Sequence, residues 1–128
     1  MKFKMITPML ETNDLQATIT FYTAVLDFTV DGTFEVDGKM AWCSLHKDEV
    51  YIMFNLPNTV MNYGRILLTG SLYIYIDEVD GFWEQVKDKV EVVYAPENFE
   101  YNMREFAIKD NNGYVLNFGQ SIEEKNPA

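Results

Sequence analysis

Residues 101–120 read YNMREFAIKDNNGYVLNFGQ. Asn112-Gly113 is a strong hairpin signal, because this dipeptide takes positive φ at little steric cost. On either side the residues alternate like strands, over 103–109 and 114–120. The stretch is a closing β-hairpin, and its second strand has an earlier counterpart. Tyr114, Val115, Leu116, Asn117 and Phe118 follow Val50, Tyr51, Ile52, Met53 and Phe54 at an offset of 64 residues. The same offset carries Leu15, Ile19, Tyr22 and Leu26 onto Val79, Trp83, Val86 and Val90, all apolar at helical spacing. A repeat of this length, with no net insertion, is one supersecondary unit used twice.

The units can be read outward from that hairpin. The first opens with a strand over 4–12. Asn13 is placed to cap a helix, with Gln16 closing a capping box. Asp31-Gly32 and Asp37-Gly38 are turn signals, and strands are expected over 28–36, 39–46 and 49–55. In the second unit a strand over 72–76 precedes a helix over 79–89, whose first turn Gly81 weakens. A strand over 91–95, a loop over 97–101 and the closing hairpin follow. The fold class expected is α+β, a single domain of two βαβββ modules with cupped mixed sheets. Module 1 covers 1–56 and module 2 covers 70–120. The connection over 57–69 contains Pro57, Asn58 and Gly64, and the polar tail over 121–128 is expected to fray.

Composition narrows the partners. The formal charge is −10, which argues against nucleic acid and anionic membrane surfaces and permits a cationic ligand. Cys43 is the sole cysteine, so no internal disulfide forms and a reducing, cytoplasmic setting is expected. No apolar run is long enough to span a membrane.

Alternation assigns the strand faces. Leu72, Ile74 and Ile76 oppose Ser71, Tyr73 and Tyr75; Ile6, Pro8 and Leu10 oppose Thr7, Met9 and Glu11; Val50, Ile52 and Phe54 oppose Tyr51, Met53 and Asn55. In the third strand Ala41, Cys43 and Leu45 read as core. Met40, Trp42, Ser44 and His46 read as the other face. The aliphatic faces suit helix packing. The faces rich in Tyr, Met and Ser suit the wall of a cleft.

The 101–120 hairpin resembles the closing hairpin of the glyoxalase/bleomycin-resistance superfamily, the vicinal oxygen chelate proteins. TPMLETNDLQATITFYTAVLDF (7–28) resembles that family's first strand and helix, with Asp14, Phe21, Tyr22, Leu26 and Phe28 matching its pattern. AWCSLHKDEVYIMF (41–54) and LYIYIDEVDGFWEQV (72–86) fit as well. The resemblance implies a divalent metal at four positions, usually His, Gln or Glu, which fall here on Thr7, Met53, Ser71 and Asn117. Hydroxyls, a thioether and an amide do not supply the ligands such an ion needs. No metal, no cofactor and no catalytic residue are therefore expected. The branch resembled is the one that binds bleomycin without transforming it, as a homodimer.

The ligand-binding set expected on this reading is Thr7, Met9, Trp42, Tyr51, Met53, Ser71, Tyr73, Tyr75, Arg104, Phe106 and Asn117. Trp42 and the tyrosines would stack on an amphipathic, aromatic or cationic small molecule. Arg104 would fix a carboxylate or ring oxygen, with an ion pair inside the protein as its competing role. His46 has no evident orienting partner and reads as a surface residue. Asp27, Asp31, Glu35, Asp37 and Asp48 read as solvated, and Asp110 with Asn111 and Gly113 as turn structure. Two other readings remain open from the residues. One is a metal-dependent lyase, isomerase or dioxygenase with a non-standard site. The other is a dimeric scaffold without ligand.

Overall fold

The structure, a computed structural model, describes residues 1–57 and 67–122. Most of the connection and of the polar tail thus lies outside the described residues. The chain divides into two compact units, Met1–Ile66 and Leu67–Ala128. The first contains β1 (Met9–Glu11), α1 (Leu15–Ala24), β2 (Thr29–Val36), β3 (Lys39–Lys47) and β4 (Val50–Asn55). The second contains β5 (Leu72–Tyr75), α2 (Val79–Val86), β6 (Glu91–Phe99), β7 (Met103–Lys109) and β8 (Val115–Ser121). Each unit is one βαβββ module with a four-stranded mixed sheet, ordered β1-β4-β3-β2 and β5-β8-β7-β6. The class is α+β. In each sheet the first strand runs parallel to the last, and the other pairs are antiparallel.

In the first unit β1 is shorter than the expected 4–12. Ile6 is 94% exposed and takes no part in the core. The helix is capped by Asp14 rather than Asn13: the Asp14 carboxylate accepts from the Ala17 amide at 3.0 Å, which satisfies one of the free N–H groups of the first turn. Thr12 and Thr18, both fully buried, share a hydroxyl–hydroxyl bond of 2.9 Å that ties the end of β1 to α1. Tyr22, Phe28 and Phe54 meet with ring centroids 5.4 and 5.1 Å apart, and Leu15, Leu26, Cys43, Leu45 and Ile52 complete the core. Burial raises the Cys43 thiol pKa above its ordinary value, partly offset by a backbone hydrogen bond involving Phe54. The thiol is an inert core group.

Asp37-Gly38 is a hairpin turn with both residues at positive φ, 52° and 78°. Asp31-Gly32 is not a turn. It lies inside β2, where Val30 pairs with Leu45 and Gly32 with Ser44, so Asp31 is the extra residue of a β-bulge.

The second unit repeats the plan with different parts. Phe82 and Trp83 of α2 pack on Phe106 at centroid distances of 6.1 and 5.2 Å, and Phe82 on Phe118 at 5.0 Å. Ile108, Leu116, Val79 and Val86 are fully buried beside them. No side chain of α2's own N-cap residue, Glu78, caps the helix; Gln120 of β8 instead accepts from the Val79 amide at 2.9 Å. The helix stops at Val86, short of the expected 89. Residues 97–99, expected in a loop, are strand: β6 runs on to Phe99, and single-residue register shifts on either side of Tyr94 accommodate Pro96.

The β7–β8 turn depends on Asp110. Its buried carboxylate accepts from the amides of Asn112 at 2.8 Å and Tyr114 at 2.9 Å, and Gly113 takes φ 89°. Asp110→Ala should lower the stability of the protein by about 1–3 kcal/mol, since both amides lose a charged acceptor. Urea denaturation followed by circular dichroism measures it; a midpoint equal to wild type would contradict this role.

Candidate ligand-binding site

Each sheet has one face against its helix and one without a helix, and alternation decides which side chains reach the second face. In the second sheet Tyr73 lies beside Asn117, Asn117 opposite Ala107, and Gly119 opposite Glu105. These residues alternate with Ile74, Phe118 and Phe106 of the helix side. Glu105, 3% exposed, is therefore a carboxylate buried on the face without a helix.

Burying that charge is costly unless its lone pairs are filled. Tyrosine hydroxyls fill them. Tyr73 donates to Glu105 Oε1 at 2.7 Å, Tyr101 to the same oxygen at 3.0 Å, and Tyr94 to Oε2 at 2.5 Å. Asn117 Nδ2 donates to the Tyr94 oxygen at 2.8 Å, while Asn117 Oδ1 is buried with no hydrogen-bond partner. No ion pair to Glu105 is formed among the described residues. Tyr73 reaches the carboxylate across Gly119, where an added Cβ would stand 2.0 Å from its hydroxyl. The glycine is required for this close approach.

Around the network the rings form an aromatic surface. Tyr73 and Tyr75 lie 5.1 Å apart, and Phe99 and Tyr101 stack at 5.4 Å and 9°. Tyr75 and Tyr101 are exposed, 76% and 58%. Burial, and then the hydrogen bond to Glu105, push the Tyr94 pKa up to about 12. The same two causes raise Tyr73 and Tyr101. These phenols remain protonated donors at neutral pH; none is a base.

The two hairpin residues expected to share this wall lie elsewhere. Phe106 is fully buried against α2. Arg104 forms an ion pair with Asp80 of α2, with guanidinium–carboxylate distances of 2.9 to 3.2 Å, and donates to Asn98 at 3.1 Å. Its competing role, a pair within the protein, is the one it fills. Ser71 is exposed just ahead of β5.

In the first sheet Met9 and Met53 are adjacent, Met53 faces Ser44, and Trp42 is half-buried opposite Asn55. Thr7 is half-buried ahead of β1. His46 has the orienting partner that the sequence concealed. The bulge turns Asp31 toward it, so that Asp31 Oδ1 lies 2.5 Å from His46 Nδ1, and Ser44 donates to Asp31 Oδ2 at 3.3 Å. The imidazole stacks on Tyr51 at 5.3 Å. Asp31 is thus a partner of His46 and Ser44 rather than merely solvated, and Asp27 is within 3.3 Å of Lys47.

Glu105, Tyr94, Tyr101 and Asp31 were missed by sequence reasoning. Two signals were present: a charge inside an apolar strand run, and a glycine inside a strand pattern, which marks close approach.

The donor set at the family's metal positions can be tested on its chemistry. Met53 offers a thioether, Asn117 an amide, Thr7 and Ser71 neutral hydroxyls. Among the described residues no three His, Cys, Asp or Glu side chains gather as a metal site would need. These residues do not fit a divalent ion of the zinc, nickel or iron class.

Comparisons with known proteins agree with the fold. The family model for the Glyoxalase/Bleomycin resistance protein/Dioxygenase superfamily matches residues 4–118, and the chain belongs to this superfamily. No curated protein matches it. Among solved structures it is similar to the bleomycin-binding protein of bleomycin-producing Streptomyces verticillus, solved with copper(II)-bleomycin: 20% identity, TM-score 0.68, covering 96% of this chain and 99% of that one. It is similar to the bleomycin resistance determinant encoded on transposon Tn5, at 20% identity and TM-score 0.69, covering 94% and 100%. It is also similar to a lactoylglutathione lyase from Agrobacterium tumefaciens, at 16% identity and TM-score 0.66, covering 91% and 92%. At these identities the likeness establishes fold.

The tyrosine network predicts a signed pH dependence. The folded phenols hold their protons above the ordinary tyrosine range, so between about pH 10 and 12 the unfolded chain binds fewer protons than the folded one. Stability from these groups is intact below pH 10 and falls as pH rises through that window. Phenolate absorbance near 295 nm should show late-titrating tyrosines that move to lower pH in Glu105→Gln. Uniform titration near pH 10 would contradict the network.

Proposed function

We propose that the protein binds a small amphipathic or aromatic molecule without a metal ion, and holds it rather than transforming it. The observation that carries this reading is the helix-free face of the second sheet, where exposed tyrosines surround polar groups fixed by hydrogen bonds. Broad apolar faces with a few placed polar atoms are the usual make-up of a small-molecule site. The donor chemistry of Thr7, Met53, Ser71 and Asn117 supports it by offering poor ligands for the ion the enzymes of the family use. The bleomycin-binding protein of similar fold is a precedent for binding on this scaffold.

Titration of metal-free bleomycin and of planar aromatic molecules, followed by intrinsic fluorescence and melting temperature, tests the reading. A saturable rise in melting temperature is expected. It should be lost in Tyr73→Ala combined with Tyr75→Ala. No response at millimolar concentration would overturn it. Elemental analysis of protein purified without chelator should find nickel, zinc, iron and manganese well below one ion per chain. A stoichiometric ion, lost on replacing Met53 and Asn117, would restore the enzymatic alternative.

We further propose a homodimer. Phe3, Met5 and Ile6 at the start of the chain are exposed, as are Phe34 and Val36 on β2 and Val92 and Val93 on β6. Both β2 and β6 are edge strands of their sheets. Unpaired edges with apolar side chains favour association. Sedimentation at micromolar concentration should give twice the 14.9 kDa chain mass. A clean monomer would rule the dimer out.

A further inference from the structure

We propose that the helix-free face of the second sheet selects a small organic cation bearing N–H donors, a protonated amine on an apolar body, held at the oxygens of Tyr73 and Tyr101 above Glu105. The proposal rests on the ligand-binding reading and narrows it to one chemistry.

Counting protons separates what these phenols can give from what they can take. A tyrosine hydroxyl has one proton to give and an oxygen that can also accept. Tyr73 and Tyr101 both give theirs to Glu105 Oε1, and Tyr94 gives its own to Oε2. Tyr94 is then satisfied, because its oxygen accepts from Asn117 Nδ2. That bond also fixes the Asn117 amide orientation: with the Tyr94 proton committed to Glu105, only the NH₂ side can face it. What Tyr73 and Tyr101 can still offer a ligand is therefore acceptance alone. Tyr73 and Tyr101 present oxygen lone pairs on side chains 37% and 58% exposed. A ligand N–H group finds an acceptor at either oxygen, and a carbonyl or carboxylate finds no donor at these two.

The charge points the same way. Glu105 is buried and hydrogen-bonded only to neutral phenols. The cations nearest in sequence are engaged: Arg104 by Asp80 and Asn98, and Lys109 by Glu91 at 3.4 Å. Among the described residues no ion pair offsets the Glu105 charge beneath the phenols, and the Tyr73, Tyr75 and Tyr101 rings add their own negative faces. A cation held on such rings is attracted by them, more strongly as it is desolvated. The net charge of −10 favours the encounter. The raised phenol pKa values keep the three hydroxyls protonated, which is the condition for that count to hold.

Isothermal titration with three probes of one shape reads the proposal: 2-phenylethylamine, its N,N,N-trimethyl analogue and 2-phenylethanol. The amine should bind most tightly, the trimethyl cation less, and the alcohol weakest. Charge-assisted hydrogen bonds set the amine-to-alcohol ratio at about tenfold or more. Glu105→Gln removes the charge and frees at least one phenol proton to point outward, so the amine preference should vanish. Tyr101→Phe keeps the charge and deletes one exposed acceptor, so the gap between amine and trimethyl cation should narrow while both still exceed the alcohol. Circular dichroism checks that each variant folds, and Tyr101→Phe carries the test if Glu105→Gln does not.

Equal binding of amine and alcohol overturns the cation selectivity and leaves aromatic binding standing. Equal binding of amine and trimethyl cation by the wild type overturns recognition by the oxygens. No binding of any probe at millimolar concentration overturns both this proposal and the reading beneath it.

Discussion

Each module has one helix for a four-stranded sheet, so one face of every sheet must be settled without helix packing. This constraint orders everything else. On the helix faces the solution is apolar: Tyr22, Phe28 and Phe54 under α1, and Phe82, Trp83, Phe106 and Phe118 with α2. On the other faces strand alternation delivers Met, Tyr, Ser and Asn, together with two carboxylates, Asp31 and Glu105. The candidate site lies on those faces, while on the helix side of the second sheet Arg104 and Gln120 are engaged by α2.

The two carboxylates are handled differently. Asp31 sits on a bulge, stays partly exposed and shares hydrogen bonds with His46 and Ser44. Glu105 is deep in a regular strand pair and is balanced by three phenols. The second arrangement is the more restrictive. Three rings from β5, β6 and the turn after it must converge on two oxygens, and Gly119 must leave room for one of them. An unfilled lone pair at this depth would cost about 1–3 kcal/mol. The network therefore fixes ring positions that a purely apolar wall would leave free. It also commits the hydroxyl protons of Tyr73, Tyr94 and Tyr101 to Glu105, which leaves the exposed side chains of Tyr73 and Tyr101 with oxygens that can only accept.

Much of the fold could be read from residues alone. The 64-residue repeat, the Asn112-Gly113 turn and the strand over 103–109 are local signals, and local signals survive folding. The errors fell where a distant partner overrides local preference. Asp31-Gly32 looks like a turn until Ser44 and Leu45 pair around it. Residues 97–99 look like a loop next to Pro96 until β7 offers them a partner. Tyr73, Tyr75 and Asn117 could be assigned to the face without a helix because face alternation is local. Glu105 was not, because its meaning depends on tyrosines 4, 11 and 32 residues away. Arg104 and Phe106 alternate together as expected, but on the face that α2 occupies.

The account turns on where the phenol protons are, and neutron diffraction from crystals grown in deuterium oxide locates them directly. The account predicts deuterons on the oxygens of Tyr73, Tyr94 and Tyr101, each directed at Glu105, with none on the carboxyl group itself. A deuteron on Glu105, or the Tyr73 or Tyr101 hydroxyl turned away from it, would contradict the acceptor role of those two oxygens and the cation selectivity drawn from it.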